Sequence, residues 1–109
     1  ARPELARTLL ELGQLYHQQM DFDYAYACLK DALRLFQRLD NPVGQAATQD
    51  ALGNLLLQVG RVTEAVAYLQ TARQHYVDAE RAERLEAVEE LLDIAHEAQQ
   101  RHAVLEAIS

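Results

Sequence analysis

Slid against itself by 40 positions, the chain matches over most of its length. Leu12-Gly13 falls on Leu52-Gly53, Ala25 on Ala65, Leu29 on Leu69 and Ala32 on Ala72. Between them Leu15 meets Leu55 and Tyr16 meets Leu56. One Gly and two Ala, twice at identical spacing, is more than a chance helical hairpin would reproduce. A repeat of this length constrains the fold strongly, because each unit is one supersecondary element that cannot bury its apolar face alone. Neighbouring units must therefore stack.

What kind of unit repeats follows from composition and spacing. There are four Gly and two Pro in 109 residues, and the rest is rich in Ala, Leu, Gln, Glu and Arg, which favour helix. The first unit reads Leu9-x-x-Leu12-Gly13-x-x-Tyr16, then Ala25-x-x-x-Leu29-x-x-Ala32. The second reads Gln49-x-x-Leu52-Gly53-x-x-Leu56, then Ala65-x-x-x-Leu69-x-x-Ala72. In each, Leu9, Leu12, Gly13 and Tyr16 or their counterparts should face the second helix of the pair. Gly13 with Ala25, and Gly53 with Ala65, leave room for two helices to cross closely. Ala32 and Ala72 would do the same where one repeat meets the next.

This pattern resembles the tetratricopeptide repeat, a pair of helices per unit. The resemblance covers residues 5–80. The family's first aromatic position is Leu9 in one unit and Gln49 in the other. The spacing of 40, against about 34 for the common form, resembles the subclass of Leu-Gly-Asn-repeat polarity adaptors, kinesin light chains and several bacterial regulators. Leu52-Gly53-Asn54 carries that triplet, and Leu12-Gly13-Gln14 varies it. The fold expected is all-α: a tandem helix-turn-helix superhelix with two repeats, 3–41 and 43–80, and a degenerate third repeat or capping helix over 82–109.

In detail, a first helix is expected over 3–19, with Pro3 in its first turn. Met20-Asp21 makes a turn, and a second helix runs over 22–39. Asp40-Asn41-Pro42 ends it, since Pro42 disfavours helix at Asn41, and Gly44 looks like a second break. A third helix spans 43–58, with Gly60 as its C-terminal cap. A fourth starts at about Thr63 and runs to about 79. The next junction, Glu80-Arg81-Ala82-x-Arg84, holds no Pro, Gly or Asn. Either a turn forms there because Leu85, Val88 and Leu92 pack back on the second repeat, or the fourth and fifth helices fuse and invite a domain swap. The turn is expected, because intrachain packing needs no partner.

In the third unit Asp93 stands where Gly is expected, and Glu89 and His96 replace other core positions. Leu85, Val88, Leu92 and Ala95 still form an apolar stripe, while Glu83, Glu86, Glu90, Asp93 and Glu97 occupy the opposite face. One packing face and one wet face suit a cap. The tail 102–109, with Val104, Leu105 and Ile108, looks like the start of one more helix.

Composition also bears on function. The net charge is −7, and nucleic-acid binders carry a basic face instead; DNA, RNA and anionic lipid are disfavoured partners. Cys28 is the single cysteine, so no internal disulfide can form, and a small buried thiol is expected. No apolar run approaches the ~20 residues of a membrane span. The expected location is the cytoplasm, in a segment of a longer protein.

Site chemistry is sparse. His96-Glu97-Ala98-Gln99-Gln100 misses the zinc-protease pattern because residue 100 is Gln, and His96 and His102 fall on different helical faces. No metal or cofactor is implied. No phosphate loop or nucleophile motif occurs, and the pairs Glu89-Glu90 and Asp21-x-Asp23 read as solvated carboxylates, so no enzyme activity is expected. Lys30, Arg34 and Arg38 share a face of the second helix; they read as a solvated outer face, with cations suited to that helix end.

The resemblance implies that the first helix of each pair lines a concave face that binds a protein partner. In the first repeat that face would carry Arg7, Leu10, Gln14, His17 and Gln18; in the second, Asp50, Asn54, Leu57 and Gln58. Gln14 and Asn54 directly follow the repeat Gly, where the family often offers an amide to a peptide backbone. The chaperone-tail clamp of other members needs Lys where Leu10 and Asp50 stand, which argues against that ligand class. The function implied is binding of a partner peptide or helix. The alternative is a structural segment that self-associates, for example as a homodimer.

Overall fold

The computed structural model describes residues 2–78 and 80–108. Position 79, where the fourth helix was expected to end, lies outside the described residues, as do the chain's two terminal residues. Five helices follow one another: α1 Pro3–Gln18, α2 Phe22–Arg38, α3 Pro42–Gln58, α4 Val62–Asp78 and α5 Ala82–Ile108. The chain is all-α, and α1 with α2, and α3 with α4, form antiparallel hairpins of the tandem helix-turn-helix kind.

Two of the helices, α2 and α3, start on a side-chain cap. The Asn41 side chain accepts the Gly44 backbone N–H at 2.9 Å, with Pro42 in the first turn. Asp21 faces the Tyr24 N–H at a long 3.5 Å. Each of the first four helices ends in the same way. Met20, Asp40, Gly60 and Glu80, twenty residues apart, all adopt left-handed backbone, with φ of 63°, 50°, 85° and 55°. The N–H of the following residue reaches back five positions in every case: Asp21 to Tyr16, Asn41 to Phe36, Arg61 to Leu56 and Arg81 to Tyr76, at 2.9–3.0 Å. This is the Schellman closure, built on Gly only once.

The junction at 80 is therefore a turn, and the fused helix does not form. Its driving force is the packing expected: Val88 and Leu92 of α5 join Ala46, Leu69, Ala72 and Tyr76 in one buried cluster, with Leu85 and Leu91 against it.

Four expectations need correction. The tail does not begin a new helix; α5 runs unbroken for 27 residues. A turn near residue 100 would bring a following helix onto Glu89, Asp93 and His96, all exposed, and that polar face offers nothing to pack. Gly44 is not a breaker. It lies inside α3, where a Cβ would collide with the Phe36 ring, so it lets α2 and α3 approach. Leu12 does not face α2 as a core residue; it is 37% exposed. Its counterpart Leu52 is buried in a cluster with Leu29 and Leu33 of α2, which shows that this position faces the preceding repeat. Cys28 is only partly buried, and burial pushes its thiol pKa up.

The two repeat glycines sit at the crossings. A Cβ on Gly13 would lie 2.6 Å from Leu29 Cδ2 and 3.3 Å from the Ala25 carbonyl oxygen; on Gly53, 2.5 Å from Leu69 Cδ2 and 3.4 Å from the Ala65 oxygen. Identical spacing in sequence has become identical contact in space.

Candidate functional site

Helices α1, α3 and α5 line one side of the molecule and leave an open groove of about 690 Å3. Gln14, His17 and Gln18 come from α1, Asp50, Asn54 and Gln58 from α3, and Arg84 from α5. The repeat places them there: residues 40 apart occupy the same face of successive first helices. Met20, Ala47 and Ala51 complete the lining. Of the other positions expected on this face, Arg7 is exposed outside the groove. Leu10 packs against the cores on either side of α2, and Leu57 is partly buried without lining the groove.

Two contacts tie the groove together. His17 Nε2 lies 2.6 Å from Gln58 Oε1, within hydrogen-bond distance. The bond joins α1 to α3 across the groove, and the Phe22 ring meets His17 edge-on at 5.8 Å. Deeper in, the Tyr76 hydroxyl donates to Asp50 Oδ2 at 3.4 Å. Burial raises the Asp50 pKa above the usual carboxylate range, opposed by the charge of Arg84 and by the Tyr76 bond. Tyr76 is pushed up to about 12, first by burial and then by the Asp50 charge.

Arg84 was missed by sequence reasoning. It belongs to the third unit, read only as a cap, and its counterpart in α3 is Gly44. A full third row at the same offset would have exposed it.

The opposite side, between α2 and α4, holds a second cavity of about 410 Å3 lined by Lys30, Leu33, Arg34, Gln49 and Tyr68 among others. Lys30 donates to the Tyr68 hydroxyl at 2.8 Å, and that bond is the main reason its pKa is raised. Arg34 pairs with Asp31 on its own helix at 3.4 Å. Gln49 Oε1 is buried with no hydrogen-bond partner.

A sequence model of the tetratricopeptide repeat matches residues 4–78, the span of the two hairpins with their paired Gly and Ala crossings. The chain belongs to the tetratricopeptide repeat family. Neither a search of curated proteins nor one of solved structures finds a match. Tetratricopeptide repeats are in general non-catalytic modules that mediate protein–protein interaction. Among the described residues no helix is long and apolar enough to cross a membrane.

Proposed function

We propose that this chain is a protein-interaction module that holds a peptide or helix of another protein in the groove between α1, α3 and α5. One observation carries the reading. Gln14 and Asn54, the residues after the two crossing glycines, line the groove together, and among the described residues neither side-chain amide is hydrogen-bonded within the chain. An amide donates and accepts, so a ladder of amides satisfies a partner's peptide groups without demanding charge. Repeats 3–41 and 43–80 supply most of the groove, and the capping segment 82–109 adds Arg84 to it. The 40-residue spacing groups the chain with the Leu-Gly-Asn-type adaptors, acting in the cytoplasm and without catalysis.

A second reading, self-association, has one observation in its favour: Leu5, Leu12 and Leu15 of α1 are 46%, 37% and 47% exposed. The test separates the two. With a protein captured from native extract, Gln14→Ala and Asn54→Ala should each weaken binding about fivefold, the equivalent of about 1 kcal/mol for one hydrogen bond, with helicity unchanged. Unchanged affinity in both variants, with mass that rises with concentration, would overturn the groove reading.

A further inference from the structure

Beyond Arg84, its one residue in the groove lining, α5 carries a pattern of its own. At the 40-residue offset Ile94 matches Gln14 and Asn54, and Ala98 matches Gln18 and Gln58. Leu91, Ile94, Ala98, Arg101, Leu105 and Ile108 follow one another at alternating steps of three and four. That 3.5-residue period belongs to a helix that lies alongside another helix. An extended peptide is held through its backbone and alternate side chains, and makes no use of such a period.

The stripe also outruns the bundle. α5 has 27 residues against 17 in α3, about 15 Å more at 1.5 Å per residue. Residues 101–108 are exposed throughout, with Leu105 at 66% and Ile108 at 76%. Beside the stripe the two flanks differ. Val88 and Ala95 on one flank are buried. On the other, Glu83, Glu90 and Glu97 stand seven apart and exposed.

We propose that an amphipathic helix of another protein, apolar along one seam and basic along one edge, docks along this stripe. This rests on the groove reading above and names the partner's chemistry. The apolar seam covers Leu91, Ile94, Ala98, Leu105 and Ile108, and the basic edge meets Glu83, Glu90 and Glu97. Arg101, set within the seam, fixes the register, as a lone polar residue does in paired helices, and calls for a carboxylate opposite. A second copy is the poorer occupant, because it brings another acidic chain of net charge −7 to an acidic row.

The experiment titrates the full chain with synthetic helices of four heptads, Leu and Ile in the seam, one Glu opposite Arg101. One peptide has Lys along both edges, a second has Glu there, and a third is the Lys peptide with two central prolines. The Lys helix should bind at least tenfold tighter than either of the others. Leu105→Ser with Ile108→Ser, and separately Glu90→Gln with Glu97→Gln, should each weaken it at least tenfold; all four residues are exposed, so the fold is not at risk. Equal binding of the proline peptide, lost only with Gln14→Ala or Asn54→Ala, would overturn the helix proposal and leave the groove reading standing. No binding of the Lys helix would overturn the proposal. So would a concentration-dependent dimer abolished by Leu105→Ser with Ile108→Ser, which would make a second copy the occupant.

Discussion

Helices α1 and α3 are written on the same pattern and end up in different surroundings. Leu52 and Leu55 are 0% and 1% exposed; Leu12 and Leu15, their counterparts, are 37% and 47% exposed. The residues are the same, so the difference lies in the neighbour. α3 has α2 on one side and α4 on the other, whereas α1 has only α2 fully against it. The outer end of α5 differs again. There the counterparts of the inner core positions are Glu89, Asp93 and His96, all exposed, and that face offers no apolar surface to a neighbour. At these matched positions α1 presents apolar side chains to solvent and α5 presents polar ones.

The largest expected effect tests that contrast directly. Leu52→Ala should cost about 3 kcal/mol, the usual loss for a fully buried leucine, while Leu12→Ala should cost less than about 1 kcal/mol, as surface changes do. Urea unfolding with unchanged slope would measure both. Equal losses would mean that something covers α1 in solution.

Gln49 and Leu9 sharpen the comparison at a second matched position. Leu9 packs against the cluster of Ala6, Ala32 and Phe36, whereas Gln49 buries an oxygen without a partner. An orphaned buried acceptor costs about 1–3 kcal/mol, so Gln49→Leu should raise stability by about 1 kcal/mol in the same assay. A loss instead would show that the Gln49 amide is satisfied in solution, for which the cavity beside it has room.

The smallest effects lie in the turns. Gly60 and Glu80 share left-handed backbone, which costs a non-glycine residue about 1–2 kcal/mol. Gly60→Ala should therefore lose about 1 kcal/mol. Glu80→Gly should gain less than that, since glycine also loosens the unfolded chain. Thermal unfolding of the pair reads both signs, and a stabilised Gly60→Ala would show that the two turns are not equivalent.

Much of the fold was legible beforehand. The offset of 40 located both hairpins and the crossing glycines, because close backbone approach demands Gly or Ala at set positions, and Pro42 and Gly60 marked the second and third turns to within a residue or so. The groove was legible in part. Gln14, His17, Gln18, Asp50, Asn54 and Gln58 do line one cavity, but Arg84 escaped notice because the third unit was read as a cap and not aligned row by row with the groove positions.

What the sequence determined by itself is the unit: two amphipathic helices, their caps and the point at which they cross, all set by local propensity and by spacing within about 40 residues. What only the tertiary structure decided is where the repetition stops. Glu80 and Gln100 stand at equivalent positions and neither is a turn former, yet the chain turns at one and runs straight through the other. Turning at 80 lets Val88, Leu92 and Ala95 be buried, while turning at 100 would bring a helix onto Glu89, Asp93 and His96. The left-handed residue is tolerated only where buried apolar surface outweighs its cost.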